Sequence, residues 1–291
     1  MRKIALATCS KLPQLTDDDQ LLLNSLAHAG VSAEPVVWDD MDVNWQRFSG
    51  VVIRSCWDYH KRVDEFLDWV DLLEKQDIHL LNPPEVIRWN SNKRYLLDLK
   101  GKGVSIVPTI FLQRNSNANL KGLLNDRGWQ QAVVKPVVSA TAYQTWLTSF
   151  DHAESDQSKL EKMLAGFPEI MIQEFLGVIR IGGEWSFMFF DGHFSHAVLK
   201  KAKPGDFRVQ DDFGGKAFRQ VPGQHWVNQA ESILQAIDKV PLYARVDAIE
   251  IDRKLILMEL ELIEPVLFLG MDEEAPDRFA KAITQMFAAL N

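Results

Sequence analysis

The chain has 291 residues, 46% of them hydrophobic and 25% charged, a composition that excludes disorder and collagen-like order and is long enough to bury a core without disulfides. Its 32 Lys and Arg against 40 Asp and Glu leave a net charge of −8 with no basic tail, which argues against nucleic acid or an anionic membrane and for a small-molecule ligand. Cys9 and Cys56 are its only cysteines, too few for a disulfide framework or a structural zinc site, and they suit a reducing cytoplasm.

In chain order, an apolar run over 3–7 reads as a strand; it stops at Ala7, too early for a signal peptide. Leu6-Ala7-Thr8-Cys9 has the outline of a lipoprotein box, but Thr8 is a poor residue before a modified Cys, and nothing approaches the apolar length of a membrane span. Leu21, Leu22 and Leu26 set a helix over 17–29 closed by Gly30. Strands over 34–38 and 51–54, an amphipathic helix over 63–75 and a strand over 79–81 follow, the last stopped by Asn82-Pro83-Pro84. This alternation predicts a small open parallel sheet with ligands beyond its carboxyl ends, where Thr8-Cys9-Ser10 and Arg54-Ser55-Cys56-Trp57-Asp58 fall.

Ser91 is placed to cap a helix over 92–100 ended by Gly101 and Gly103, and 105–112 is strand-like around Pro108. A polar stretch over 113–128 holds a short helix. The pattern then changes to α+β, with strands over 132–138, 143–147, 169–175, 184–190 and 193–199 and a hairpin signal at Asp191-Gly192. Residues 200–220 read as a basic, Gly-containing mobile loop, 227–239 as a helix stopped before Pro241, and 275–290 as a terminal helix.

The most informative stretch is a pair of apolar strands over 243–251 and 255–263 joined by Asp252-Arg253-Lys254. A turn centred on Arg253 places Asp247 opposite Glu259 and Arg245 opposite Glu261, all four on one face. Three carboxylates among Val, Ile, Leu and Met repel one another more than one Arg relieves, and an all-oxygen set of this kind suits Mg²⁺ or Mn²⁺. The same spacing also fits a solvated face with ordinary charge pairs. Upstream, Lys135 ends an apolar strand, costly unless its ammonium meets an anion, and Lys93 opens a helix, where the macrodipole disfavours an unpaired cation. Neither a P-loop nor a G-x-G-x-x-G fingerprint is present.

Taken in order, Lys93, Val134-Lys135-Pro136, Gln173-Glu174-Phe175-Leu176, Gly183-Glu184, Arg245-Val246-Asp247 and Glu259-Leu260-Glu261 resemble the signature of the ATP-grasp superfamily of carboxylate–amine ligases. The resemblance covers nearly the whole chain. It implies a Rossmann-like α/β pre-ATP-grasp domain over 1–90, a central α+β lid over 91–176 and an α+β C-terminal subdomain over 177–291, with ATP between the last two. It further implies adenine bound along Gln173, Glu174, Phe175 and Leu176, ribose on Glu184, phosphates on Lys93 and Lys135, and Lys200 among the nucleotide contacts. Asp247, Glu259 and Glu261 match the metal ligands; relatives commonly carry Asn at the last position, so Glu261 is a departure and the number of metal ions stays open.

The segment from Lys200 to Gln210, with Gly214-Gly215, resembles the flexible segment of glutathione synthetase-like members, in which Arg208 would face the transferred phosphate; Arg245 is placed to stabilise the same charge. Arg54-Ser55-Cys56-Trp57-Asp58-Tyr59, Asn82-Pro83, Arg88-Trp89-Asn90 and Met258 through Pro265 are similar to the subgroup that includes the O-ureidoserine cyclo-ligase of cycloserine biosynthesis. That resemblance implies activation of a small-molecule carboxylate as an acyl phosphate for attack by an amine, in an enzyme that is a homo-oligomer in many relatives. Arg54 and Asp58, at a strand end, are candidates for a substrate carboxylate and amino group, or for a structural ion pair. Trp57 and Trp89 are candidates to cover the cleft, and Cys56 reads as a packed thiol. A small-molecule kinase on the same fold, or an ATP-binding regulator without turnover, would carry the same residues.

Overall fold

The structure is a computed structural model that describes residues 3–203, 206, 208–209 and 214–289. Buried apolar runs form β1 (Lys3–Thr8), β2 (Ser32–Val37), β3 (Gly50–Ser55) and β4 (His79–Leu80), all parallel in the order β2-β1-β3-β4. Between them run α1 (Asp17–His28), whose cap Thr16 accepts from the Asp19 amide, and α2 (Val63–Lys75), which buries Phe66, Trp69, Val70 and Leu73 along one stripe.

After β4 the local structure departs from expectation. Pro84 does not merely stop the strand; it opens α3 (Pro84–Asn90) at a position where a missing amide costs nothing. Ser91 belongs to the end of α3, donating to the Arg88 carbonyl at 2.7 Å, and α4 begins only at Tyr95 (Tyr95–Gly101). Lys93 therefore sits in the turn between two short helices.

β5 (Thr109–Gln113), α5 (Leu120–Arg127), β6 (Gln131–Pro136), β7 (Trp146–Ser149), α6 (Ala153–Gly166) and β8 (Glu169–Glu174) form an antiparallel sheet, β5-β8-β6-β7, with the helices packed on one face through Leu120, Leu124 and Leu160. β7 starts later than the expected 143, because Thr141, Ala142 and Gln144 hold φ of +48°, +53° and +51° and cannot extend a ladder.

The third sheet, β11-β10-β9-β12-β13, follows the short α7 (Ile179–Gly182). It comprises β9 (Glu184–Phe190), β10 (His193–Lys201), β11 (Lys216–Gln220), β12 (Tyr243–Ile251) and β13 (Lys254–Glu261). Asp191 and Gly192 are both left-handed, as a two-residue hairpin turn requires. The expected mobile loop over 200–220 is strand at both ends: Lys200 and Lys201 complete β10, and β11 pairs with them. Pro204, Gly205, Phe207, Gln210, Asp211, Asp212 and Phe213 of that loop, and Leu290 of the expected last helix, lie outside the described residues. α8 (Gln224–Gln235) begins and ends earlier than the expected 227–239, and α9 (Ala275–Ala289) closes the fold.

The first and third sheets share one core, in which Ile4, Leu6 and Leu22 meet Phe190, Tyr243 and Phe279. Tyr95, Leu96 and Leu99 of α4 pack with Phe187, Phe189 and Leu257 of the third sheet. The expected boundary at 91 thus cuts off a helix whose packing ties it to the C-terminal sheet. The outer edge of β13 is covered by backbone and side chains: Leu257 bonds the backbone of Ser105 and Val107, Asn82 donates to the carbonyls of Tyr243 and Leu262, Asn90 pairs with Leu260 and Leu262, and the Tyr95 hydroxyl accepts from the Leu260 amide at 2.9 Å. Among the described residues no helix is long and apolar enough to cross a membrane.

His60, buried between Tyr59 and Tyr143, is pushed down to about 4 by burial, with Lys61 adding to the effect. The unfolded imidazole ionises near 6.5, so protons favour the unfolded chain, and stability present above pH 6.5 is lost as pH falls towards 4. His60→Phe is expected to flatten the denaturation midpoint over that window relative to wild type; an unchanged pH slope would contradict the assignment.

Candidate active site

A cleft of about 450 Å³ opens between the second and third sheets, within the range of small-molecule sites. One end is apolar: Val133, Phe175, Leu176, Ile179, Ile249 and Met258 line it, with Val209 packed against Ile179 and Ile249. Gln173 and Glu174 line it from the end of β8. The four residues expected at the adenine therefore lie together on the wall of this slot.

The carboxylates reach the cleft through a compensated register. The β12–β13 turn has two residues, Asp252 and Arg253, both left-handed, and not three centred on Arg253. Ala248 accordingly faces Leu257. A β-bulge at Met258 then shifts the ladder, and beyond it Asp247 faces Glu259 and Arg245 faces Glu261, as expected. The bulge lets Met258 and Glu259, successive in sequence, both line the cleft while Leu257 stays in the core.

Every carboxylate of the expected metal set has a cation. Asp247 receives Arg245 at 2.8 and 3.0 Å, Lys200 at 3.1 Å and the Ser186 hydroxyl at 2.5 Å. Against the upward push of burial, Arg245 and Lys200 hold its carboxyl well below the usual range. Glu259 meets Lys93 at 2.9 Å and Lys135 at 3.9 Å, and against burial these two lysines keep it low. Glu261 pairs with Arg245, yet burial, with Asp247 and Glu259 adding repulsion, pushes it up to about 8. Glu184 sits 2.5 Å from Lys200 and is raised by burial. Burial lowers Lys135. The expectation that one Arg faces the crowding alone is thus corrected: Lys93, Lys135 and Lys200 share it. Among the described residues no three acidic, His or Cys side chains converge as a metal cluster.

Lys93 also donates to the Ser139 carbonyl at 2.6 Å, joining the turn after α3 to the loop after β6. Arg208 lines the cleft, with Asp206 accepting from it at 2.8 Å. Trp57 lines the cleft; Trp89 does not, packing instead with its indole donating to Asp98. Cys56 is fully buried and its thiol is pushed up by burial, as a packed thiol should be.

Arg54 and Asp58 do not line the cleft. Arg54 is buried, donating to Asp19 at 2.8 Å and to the Pro265 carbonyl at 2.8 Å. Asp58 accepts from the Trp38 indole and from Arg62. Of the two sequence alternatives, the structural ion pair is the one present, because Asp19, 35 residues before Arg54, folds against it. The residue that sequence reasoning passed over is Glu264, buried yet lining the cleft. Its signal was a carboxylate between the apolar pair Leu262-Ile263 and Pro265. Burial pushes it up to about 7, with Lys93 opposing.

The profile of the D-cycloserine synthetase DcsG N-terminal domain matches residues 4–82. The cycloserine biosynthesis protein DcsG of Streptomyces lavendulae is 30% identical over 97% of this chain and 98% of its own length. The chain belongs to the DcsG family of ATP-grasp ligases. A crystal structure of D-cycloserine synthetase DcsG superposes with a TM-score of 0.88 at 29% identity, covering 98% of this chain and 99% of that one. D-alanine–D-alanine ligase from Bacillus anthracis, solved with ATP, shares the fold at TM-score 0.73 and 15% identity over 100% and 98% of the two chains. As a DcsG-family ATP-grasp protein, this chain is an ATP-dependent ligase of the carboxylate–amine type acting on small molecules.

Proposed function

We propose that the cleft binds ATP with its adenine in the slot along Gln173–Leu176, its ribose at Glu184 and its phosphates on Lys93 and Lys135, and activates an amino-acid-like carboxylate at the far end. The observation that carries this reading is the pairing pattern. Glu259, an expected metal ligand, is held by the two lysines expected to take phosphate. Polyphosphate would draw those ammonium groups away and leave Glu259, with Asp247 and Glu261, a hard all-oxygen set suited to Mg²⁺ or Mn²⁺ in kind. With the metal bound, ATP supplies the phosphoryl group that turns the substrate carboxylate into an acyl phosphate, from which an amine displaces phosphate.

The chain itself positions and neutralises charge. Arg245, anchored to Asp247 and to the Val266 carbonyl, and Arg208 face the transferring phosphoryl group. The DcsG likeness makes ring closure within one substrate a member of the proposed class. Cys9 and Cys56, free and buried, fit a reducing cytoplasm.

The thermal midpoint with ATP and Mg²⁺, with ATP and chelator, and with GTP and Mg²⁺ tests the site, since saturation at 100 times Kd stabilises by about 2.7 kcal/mol. A rise that needs both ATP and metal is expected, followed by ATP-dependent phosphate release with one of a panel of amino acids. No rise in folded protein would sink the reading. Lys135→Ala is expected to weaken ATP binding about ten- to a hundredfold by calorimetry, the worth of a charge-assisted contact. Unchanged affinity would remove Lys135 from the phosphate site.

A further inference from the structure

Two cleft carboxylates, Glu174 and Glu264, have no ion pair with any described residue, and of the two only Glu264 is buried. Glu184, Asp247, Glu259 and Glu261 each have an ammonium or guanidinium partner, whereas Glu264 has no ion pair with any described residue, although it is only 8% exposed. A buried carboxyl without a cation costs stability unless a ligand uses it.

Its backbone is held with unusual completeness for a segment outside any strand or helix. The carbonyls of five successive residues each accept a side-chain donor. Ile263 receives the Tyr243 hydroxyl at 2.7 Å, Glu264 the Trp57 indole at 3.1 Å, and Pro265 Arg54 at 2.8 Å. Val266 then receives Arg245 at 3.0 Å and Leu267 the His196 ring at 2.9 Å. Such a support fixes where the Glu264 side chain sits.

Its place along the chain fixes what it meets. Met258 belongs to the apolar slot and Glu261 to the charged centre, about 10 Å further along the strand. Glu264 lies beyond both, and Trp57 and Tyr59, which follow β3, line the cleft with it. With the nucleotide placed as proposed above, that is the substrate side of its phosphates.

We infer that Glu264 is the specificity-determining residue that receives an ammonium group of the substrate, so that the enzyme takes α-amino carboxylates over their desamino counterparts. This rests on the ligase reading above and assigns the recognition of its substrate's amino group to one residue. The inference needs no covalent step at Glu264.

The test pairs a variant with an analogue. ATP-dependent phosphate release is measured with matched α-amino and desamino carboxylates, beginning with O-ureidoserine and 3-(ureidooxy)propanoate, in wild type and Glu264→Gln. Wild type is expected to favour the amino member at least tenfold in kcat/KM, and Glu264→Gln to lose that preference through a raised KM, with ADP affinity unchanged. A preference that survives in Glu264→Gln, or wild type that turns over both members equally, would overturn the inference. The wild-type comparison reads the same question without any variant. Absence of ATP and metal binding would instead strike the ligase reading.

Discussion

Glu259→Gln is expected to cut ATP-dependent phosphate release by about two to three orders of magnitude, the loss seen when one preorganised charge-stabilising group is removed from a water-poor site. Glu259 is the meeting point of the charged network, with Lys93 at 2.9 Å, Lys135 at 3.9 Å and Asp247 opposite it across the hairpin. The amide keeps the shape and removes the charge. Sequence reasoning alone treats this change as relief of crowded carboxylates and hence nearly free in stability. The structure shows otherwise, because Glu259 is the counter-ion of Lys93. A loss of about 1.5–3 kcal/mol is expected, the worth of a hydrogen bond to a charged group, limited by the bond Lys93 keeps to the Ser139 carbonyl. Single-turnover phosphate release and the thermal midpoint separate the two effects. Wild-type turnover in a folded Glu259→Gln would remove Glu259 from the proposed metal site.

Arg54→Ala is expected to destabilise the protein by about 3–5 kcal/mol, because it strands Asp19 as a buried, uncompensated carboxylate. The midpoint should fall on the order of 10 °C. The guanidinium also lies over the rings of Tyr243 and Phe279, 5.2 and 5.7 Å from their centroids, so its removal opens the core shared by the first and third sheets. Had Arg54 bound the substrate carboxylate, the same variant would keep its midpoint and raise KM. Urea and thermal unfolding beside a substrate titration distinguish the two, and a stable variant with raised KM would restore the binding role.

Much of the site was legible because strands report their faces. Arg245, Asp247, Glu259 and Glu261 alternate among apolar residues, and period-2 geometry put them on one side. Their register emerged correctly for an incomplete reason: the turn is one residue shorter than assumed and the bulge at Met258 restores the offset. A bulge leaves no mark in a run such as Leu255-Ile256-Leu257-Met258. Arg54 shows the opposite limit. A strand-end arginine looks the same whether it faces a ligand or a carboxylate folded in from 35 residues away, and only the packing of α1 decides. β11 was missed because its residues are mostly exposed, so no apolar alternation announces it. Lys93 was singled out from the sequence and lines the cleft, but its position between two short helices depended on Pro84 starting a helix and on Ser91 ending it.

The amide and hydroxyl groups of Asn82, Asn90 and Tyr95 grip β13 by its peptide groups alone. Support of that kind is blind to side-chain identity. The strand that carries Glu259 and Glu261 can therefore exchange what it presents to the cleft without losing its anchorage.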